Sequence, residues 1–211
     1  MKHQYVADVN DYCKYGLLRA LTALGEVESM VAWMLTADDA SRDGRKLSYL
    51  KAPEKWRAHD PWLFDALEVI VAQPELRSVA AIANATIVPG ARFHADIVPR
   101  DPALRRVHFA QTLALARGAG LLFFDPDNGM EVGSCPSGRS GSEKYLLWTQ
   151  LADAYHAGHS VLIYQHFPRK EREAFITRPV RQDCRANGSL RGLRIPHLGS
   201  RILPCAPARG N

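Results

Sequence analysis

The first part of the chain combines residues at helical spacing with a short apolar run. A helix is predicted to begin at Asn10 or Asp11, whose side chains favour helix N-termini, and to end at Gly25. Its apolar residues recur three and four positions apart: Leu17, Leu18, Leu21 and Leu24. The run from Met30 to Leu35 has the composition of a buried strand. This part of the chain therefore predicts a helix followed by a strand.

Two later helices carry the same start signal, an aspartate followed by a proline. Asp60-Pro61 and Asp101-Pro102 each place a capping carboxylate before a proline, whose missing N–H costs nothing at the first helical position. The second of these helices is predicted to end at Gly118. The apolar positions predicted to face the core are Leu63, Phe64, Leu67, Ile70 and Val71 in the first helix, and Leu104, Val107, Leu113 and Leu115 in the second.

Two more apolar runs are predicted to be buried strands. The first, Leu121 to Phe124, ends in the polar sequence Asp-Pro-Asp-Asn-Gly, and the second extends from Ser160 to Phe167. Between them, the Gly- and Ser-rich stretch from Gly133 to Gly141 predicts a mobile loop. Ser140 and Glu143 are spaced as a capping box. The helix that they would begin ends at Gly158 and carries Tyr145, Leu146, Trp148 and Leu151.

Alternating helices and strands predict an α/β fold. Parallel strands need crossover connections, which are usually helical, so we expect a three-layer, mainly parallel sheet with helices on both faces. This arrangement is Rossmann-like. With 211 residues the chain is long enough for one well-buried core. We predict a single α/β domain, 1–211, with a basic C-terminal segment, 168–211.

Composition argues against several classes of protein. No stretch approaches the roughly 20 apolar residues of a membrane-spanning helix, and the first residues contain no apolar signal segment. We therefore expect no membrane partner and a cytoplasmic location. The four cysteines are far apart in sequence, which predicts neither a disulfide framework nor a structural zinc site. They are Cys13, Cys135, Cys184 and Cys205.

The net charge of +5 is unevenly distributed along the chain. Residues 168–211 have ten Lys or Arg and three acidic residues, a balance of +7, whereas residues 1–167 have a balance of −2. Such a segment favours an anionic partner, most commonly nucleic acid, either RNA or DNA. The predicted phosphate contacts are Arg169, Lys170 and Arg172. The alternative is a solvated arginine-rich tail without a partner.

Polar side chains follow the last two predicted strands. Asp125 to Asn128 comes directly after the first of these strands, and His166 lies near the end of the second. Ligands of open α/β sheets bind outside the carboxyl ends of the strands, so adjacent strands would bring these groups together. His166 is a candidate general base or metal ligand because the imidazole pKa lies nearest neutrality. The alternatives are a favourable turn at 125–129 and a histidine with only a structural role.

Two short motifs and the order of elements resemble a family of methyltransferases. Asp11-Tyr-Cys-Lys14-Tyr15 is similar to an Asp-x-x-Lys-His motif, and Asp125-Pro126-Asp127-Asn128 to an Asp-Pro-Pro-Tyr motif. Both motifs occur in the Rossmann-like, S-adenosylmethionine-dependent rRNA adenine methyltransferases of the RlmJ type. In such enzymes the motif aspartate and a main-chain carbonyl accept hydrogen bonds from the target amine, while the aromatic stacks on the extruded base. The resemblance implies that residues 125–128 carry catalysis.

The same resemblance implies S-adenosylmethionine as the cofactor. The residues expected to bind it are Asp11, Lys14, Thr36 and Asp38. Lys14 lies near the helix start, where its ammonium can reach the cofactor carboxylate or a phosphate. The chain departs from the family pattern in three places: Tyr15 replaces the histidine, Asp127 and Asn128 replace the second proline and the aromatic, and no glycine-rich turn follows the strand Met30 to Leu35.

Two other functions stay open at this point. One is a Mg²⁺-dependent nuclease or phosphodiesterase, because carboxylates are preferred Mg²⁺ ligands and two ions can activate water. Its candidate ligands are Asp125, Asp127 and Glu131, with Asp38 and Asp39 nearby. The other is a noncatalytic nucleic-acid-binding module that has kept an enzyme-like sheet and lost its cofactor loop. That alternative predicts the departures from the methyltransferase motifs.

Overall fold

The structure, a computed structural model, describes residues 1–23, 25, 27–39, 41 and 43–166. These residues belong to one compact unit, Met1–His166. The helices are α1 (Val9–Thr22), α2 (Pro53–Trp56), α3 (Pro61–Ala72), α4 (Val79–Asn84), α5 (Pro102–Ala116) and α6 (Trp148–His156). The strands are β1 (Ser29–Ala32), β2 (Arg92–His94), β3 (Leu121–Phe124), β4 (Gly129–Met130), β5 (Tyr145–Leu146) and β6 (Ser160–Ile163).

Four strands form a parallel sheet in the order β2-β1-β3-β6, and β4 pairs with β5 separately. The chain crosses the sheet in one direction from β1 to β2, and in the other direction from β2 to β3 and β6. Right-handed crossovers therefore place the helices between β1 and β2 on one face, and α5 and α6 on the opposite face. The expected three-layer, mainly parallel, Rossmann-like fold is confirmed.

The centre of the sheet is apolar because helices cover both of its faces. Every residue of β1 and β3 is buried. The main core cluster joins Val31 and Phe123 to α1 and α3, which pack against each other. Leu63, Phe64, Leu67 and Ile70 of α3 are buried, as its sequence pattern predicts. No helix in the described part of the chain is long and apolar enough to cross a membrane.

The start signals predicted for two helices are confirmed. Asp60 accepts a hydrogen bond from the N–H of Leu63 at 3.0 Å and precedes α3, and Asp101 caps α5 through the N–H groups of its first turn. The first helix instead begins two or three residues earlier than predicted. Its cap is Asp8, whose carboxylate accepts the N–H groups of Asn10 and Asp11. Asp11 is therefore released from capping and lies inside the helix.

Two predicted apolar faces are wrong. In α1, Leu17 and Leu21 are about half exposed, whereas Leu18 is buried. In α5 the exposed residues include Leu104, Val107 and Leu115, and the buried face consists of Arg105, His108, Phe109, Thr112 and Ala116. The buried polar residues of α5, Arg105, His108 and Thr112, each form hydrogen bonds, so their burial is tolerated. Thr112, for example, hydrogen-bonds with the His94 ring at 2.7 Å.

The predicted capping box at Ser140 and Glu143 is also wrong. Tyr145 and Leu146 form β5, and α6 begins only at Trp148, whose N–H donates to Glu131 at 2.7 Å. Pairing with β4 holds this segment extended, which excludes a helix there.

Several short elements were not predicted from the apolar pattern: β2, the short helices α2 and α4, and the pair β4–β5. The polar residues that follow β3 and β6 lie side by side as expected, because Phe124 pairs with Ile163.

Candidate functional site

The site lies at the point where the strand order of the sheet reverses. β1 continues to β2 on one side, while β3 lies on its other side, so the connections diverge from the gap between β1 and β3. Open α/β sheets bind ligands in this crevice, outside the carboxyl ends of the strands. Asp125 follows β3 directly, and its N–H donates to the carbonyl of Ala32 at the end of β1 at 3.0 Å.

A buried lysine joins the first helix to this strand end. Lys14 Nζ lies 2.7 Å from Asp11 Oδ1 and 2.6 Å from Asp125 Oδ2. Asp11 and Lys14 are three positions apart in α1 and therefore project from the same helix face. Asp11 Oδ2 also accepts the N–H of Ala7 at 2.9 Å. The two motifs that resemble the methyltransferase family thus meet in one cluster.

Burial determines the electrostatics of this cluster. Burial raises the pKa of the Asp11 carboxyl to about 7, and the nearby Lys14 ammonium offsets this effect only in part. Burial alone would lower the pKa of Lys14, but Asp11 and Asp125 together hold it well above its usual value. Lys14 is therefore a cation near neutral pH, while Asp11 exchanges its proton there. Groups with such shifted pKa values are common in functional sites.

Asp127 faces the other side of the same loop. Its Oδ2 accepts the Thr36 hydroxyl at 2.6 Å, and Lys2 Nζ lies 4.0 Å away. The α-amino group of Met1 forms an ion pair with Asp127 Oδ1 and donates to the carbonyl of Asp125 at 3.1 Å. Pro126, between the two aspartates, is buried. The carboxylate of Asp127 is thus occupied by partners within the chain.

Gln165 holds this loop in place, a role that sequence analysis did not assign to it. Its Nε2 donates to the carbonyl of Asn128 at 3.2 Å, and its Oε1 accepts the N–H of Met130 at 2.9 Å. Gly129 lies between these two residues at φ +95°, and a Cβ there would overlap the Gln165 amide. The position of the Gln165 side chain therefore requires a glycine at position 129. The sequence signal was a glutamine directly after an apolar strand, opposite an Asn-Gly pair.

A cavity of about 390 Å³ opens in front of Lys14 and Asp125. This volume lies within the roughly 300–1,000 Å³ typical of small-molecule sites. Asp8, Asp11 and Asp125 are buried acidic residues of its lining, and Tyr5 and Tyr164 contribute aromatic rings. Lys14 Nζ lies 4.8 Å from the Tyr164 ring centroid, a cation–π contact. The cavity thus combines hydrogen-bond acceptors with aromatic surface.

The structure places some of the predicted site residues at this cavity and others elsewhere. Those that line it are Asp11, Lys14, Asp125, Pro126, Asp127, Asn128 and His166. His166 is exposed and stands at the cavity edge. Thr36, Asp38 and Glu131 do not line it, and Glu131 instead caps the start of α6. Arg169, Lys170 and Arg172 lie outside the described residues.

The carboxylates proposed as Mg²⁺ ligands do not converge. Asp125 is paired with Lys14, Asp127 with Thr36, and Glu131 with the N–H of Trp148. Within the described part of the chain, no three His, Cys, Asp or Glu side chains are grouped so that they could hold a metal ion. No observation at this site therefore favours the metal-dependent alternative.

The residues after β1 do not fit S-adenosylmethionine in the manner that the resemblance implies. In that family the backbone after the first strand approaches the cofactor closely. Here Thr36 is buried, its N–H donates to the carbonyl of Met1 at 2.9 Å, and its hydroxyl is bound to Asp127. Asp38 accepts the N–H of Gln4 at 3.3 Å, so residues 1–4 cover this turn. Binding of this cofactor stays a prediction, which the experiment below addresses.

The functional interpretation rests on the geometry of this cavity. Its main features are the Lys14 ion pairs and the two tyrosine rings, and Gln165 holds the adjacent loop in place. Comparison of the chain with known protein families, with curated proteins and with solved structures gives no match.

Proposed function

We propose that this protein binds nucleic acid and holds one amine-bearing base, adenine or cytosine, in the cavity in front of Asp125. The observation that carries the proposal is the combination of the buried carboxylates Asp11 and Asp125 with the rings of Tyr5 and Tyr164 in one cavity. Proteins that take a base out of a strand recognise it through hydrogen bonds to its edge and through stacking on aromatic side chains.

The cavity suits an amine better than a carbonyl. Ionised carboxylates accept hydrogen bonds and cannot donate them, so Asp125 pairs with an N–H group and repels a carbonyl oxygen. Lys14 is held between Asp11 and Asp125 and fixes the carboxylate of Asp125 for such a contact. Tyr164 provides the aromatic surface that the residues 125–128 lack. The basic segment 168–211 supplies the charge that attracts a nucleic-acid backbone.

Methyl transfer to that amine is the second candidate function. One observation favours it, since Lys14 and Asp125 come from the two motifs that resemble the methyltransferase family and are in direct contact. The covered turn after β1 speaks against it, because the N–H and the hydroxyl of Thr36 already donate to Met1 and Asp127. We therefore favour base binding without the cofactor, and we derive no step through S-adenosylmethionine.

The test compares ligands that differ by one amine. Adenosine and inosine are titrated against the full chain by calorimetry, and short single-stranded oligonucleotides with one central adenine or hypoxanthine by fluorescence anisotropy. We expect the adenine ligands to bind about 10-fold more tightly, the effect of one hydrogen bond to a charged acceptor. Equal affinity for the two bases would overturn the proposal.

A matched pair of variants locates the base. Tyr164→Leu keeps an apolar side chain beside the core but removes the ring, and should weaken adenosine binding. Tyr155→Leu removes a 39% exposed ring that does not line the cavity, and should leave binding unchanged. Thermal stability is then followed with S-adenosylmethionine, which raises the melting temperature only if it binds the folded state. Such a rise would favour methyl transfer over the binding module.

A further inference from the structure

We infer that the turn 43–46 is a phosphate-binding rim of the cavity, in which Arg45 and Lys46 hold the phosphate of the nucleotide whose base faces Asp125. This inference rests on the proposed function, since it names how the rest of the nucleotide is held. Arg45, Lys46 and Asp125 line the same cavity, with Asp125 buried and the two cations exposed. The cavity is therefore bordered by exposed cations as well as by a buried carboxylate.

The turn is fixed firmly to the start of α1. Gly44 has φ +76°, and a Cβ there would overlap the carbonyl of Gln4 and the ring of Tyr5. The Arg77 guanidinium donates to the carbonyls of Gly44 at 2.6 Å and Val6 at 2.7 Å. The carbonyl of Lys46 accepts the N–H of Val9 at 3.1 Å. These contacts fix the turn backbone that carries Arg45 and Lys46, which limits the ordering cost of binding.

Within the described residues, neither Arg45 nor Lys46 forms an ion pair or a side-chain hydrogen bond, whereas Asp11 and Asp125 are both engaged by Lys14. Asp43 is exposed in the same turn, so the turn has a net charge of +1. The inner and outer parts of the cavity therefore differ in chemistry. Its inner part offers acceptors, and its rim offers donors with positive charge.

This division matches a nucleotide. An adenine or cytosine presents an amine that needs an acceptor, and its phosphate needs cationic donors. Arginine binds phosphate through two parallel N–H···O bonds, and lysine acts as a compact point charge. Phosphate contacts place the strand without reading the base, so the rim would position the nucleotide while Asp125 selects it.

The experiment separates the rim from the base site. Adenosine, AMP and inorganic phosphate are titrated by calorimetry against the full chain and against the double variant Arg45→Gln/Lys46→Gln. We expect wild type to bind AMP about 10-fold more tightly than adenosine, through charge-assisted hydrogen bonds, and the variant to lose this difference while it keeps its affinity for adenosine. Asp43→Asn should strengthen AMP binding, because it removes a nearby negative charge.

A control removes the same charge elsewhere. Lys51→Gln/Lys55→Gln neutralises two exposed lysines that do not line the cavity, and should leave the AMP preference intact. On single-stranded oligonucleotides the rim variant should also reduce the slope of log affinity against log salt by about 0.7, the contribution of one neutralised phosphate. The control should reduce it less.

The outcomes distinguish this inference from the proposed function. If adenosine binds but AMP binds no more tightly, or if the rim and control variants behave alike, the rim is wrong and the base site stands. If adenosine fails to bind while the rim variant still reduces the salt slope more than the control, the rim stands and the base site is wrong. Tight binding of inorganic phosphate alone, without an AMP preference, would reduce the rim to a simple anion site and overturn the inference. Absence of all binding overturns both.

Discussion

Lys14 Nζ and Asp125 Oδ2 lie 2.6 Å apart although 111 residues separate them in the sequence. The side chain of Lys14 is 9% exposed and that of Asp125 is 2% exposed, so water screens their interaction little. The pair connects α1 to the end of β3. From its position in a crevice alone, Asp125 would be expected to matter little for stability. The pair with Lys14 indicates instead that Asp125 contributes to the fold as well as to the cavity.

Asp125→Ala should lower the free energy of unfolding by about 3 kcal/mol, because removal of one partner leaves the Lys14 charge buried with less compensation. Denaturant unfolding followed by circular dichroism measures this change. The double variant Lys14→Met/Asp125→Leu should lose less than the sum of the two single variants, since it removes both charges together.

An exposed ion pair provides the control for this prediction. Arg57 and Asp65 lie 2.7 Å apart, but about half of each side chain is exposed. Asp65→Ala should therefore change stability little, because solvent screens such pairs. Similar losses for Asp125→Ala and Asp65→Ala would show that the buried pair has no special role in the fold.

The proton on Asp11 should make stability depend on pH. Burial raises the pKa of this carboxyl to about 7 in the folded chain, above the ordinary value of an unfolded aspartate. The folded state therefore holds this proton more tightly, so Asp11 stabilises the fold at low pH and loses that contribution as the pH rises towards 7. Asp11→Asn removes the titration and keeps an acceptor for the N–H of Ala7.

Unfolding curves of wild type and Asp11→Asn between pH 4 and 8 test this sign. The free energy of unfolding of wild type, measured relative to that of Asp11→Asn, should fall as the pH rises and should level off above pH 7. Carbon NMR of the Asp11 carboxyl gives the titration directly. Parallel curves, together with a carboxyl that titrates near pH 4, would contradict the prediction.

The sequence predicted those parts of the site in which the polar residues directly follow a local apolar pattern. The apolar run Leu121 to Phe124 matches β3 residue for residue, and the polar residues that follow lie at the carboxyl end of the sheet. Lys14 was expected to reach an anionic ligand, and in the structure its ammonium contacts the Asp125 carboxylate. The contacts of Gln165 and Arg77 were not predicted. Each joins a side chain to a backbone group that is 35 or 71 positions away in the sequence, and such contacts leave no local pattern.

The helix α5 shows why an apolar pattern can indicate the wrong face. Its predicted face contains Leu104 and Val107, which are 60% and 57% exposed. The opposite face is buried because Arg105 and His108 donate to the backbone carbonyls of Ser142 and Asp96. Periodicity detects hydrophobic burial and is blind to polar burial that distant partners make favourable.

Gly129→Ala should destabilise the protein by about 1 to 3 kcal/mol, the usual cost of a left-handed conformation at a residue with a side chain together with a local clash. Gly129 has φ +95°, and the new methyl group would overlap the Gln165 amide. Gly133→Ala is the control, because Gly133 has open space around its Cβ position and no positive φ. Thermal melts of both variants measure the difference. An equal effect of the two substitutions would contradict the proposed fit between Gly129 and Gln165.

Arg105 should be essential for the segment that leads into α6. Its guanidinium is buried, and it donates to the carbonyls of Ser142 at 2.7 Å and Tyr145 and to Gln150 Oε1 at 3.1 Å. Arg105→Ala leaves the Tyr145 carbonyl without this donor, while Ser142 O and Gln150 Oε1 keep the N–H groups of Tyr145 and Leu147. The substitution should cost roughly 1 to 3 kcal/mol, the penalty for one unsatisfied buried group. Arg106→Ala, one position along α5 and exposed, serves as the control.

Hydrogen exchange in Arg105→Ala should become faster at Glu131 and Leu151, whose N–H groups donate to the carbonyls of Leu146 and Leu147 in this segment. The N–H of Asp125 should stay protected. Uniform acceleration throughout the sheet would show instead that Arg105 stabilises the whole fold and not this segment.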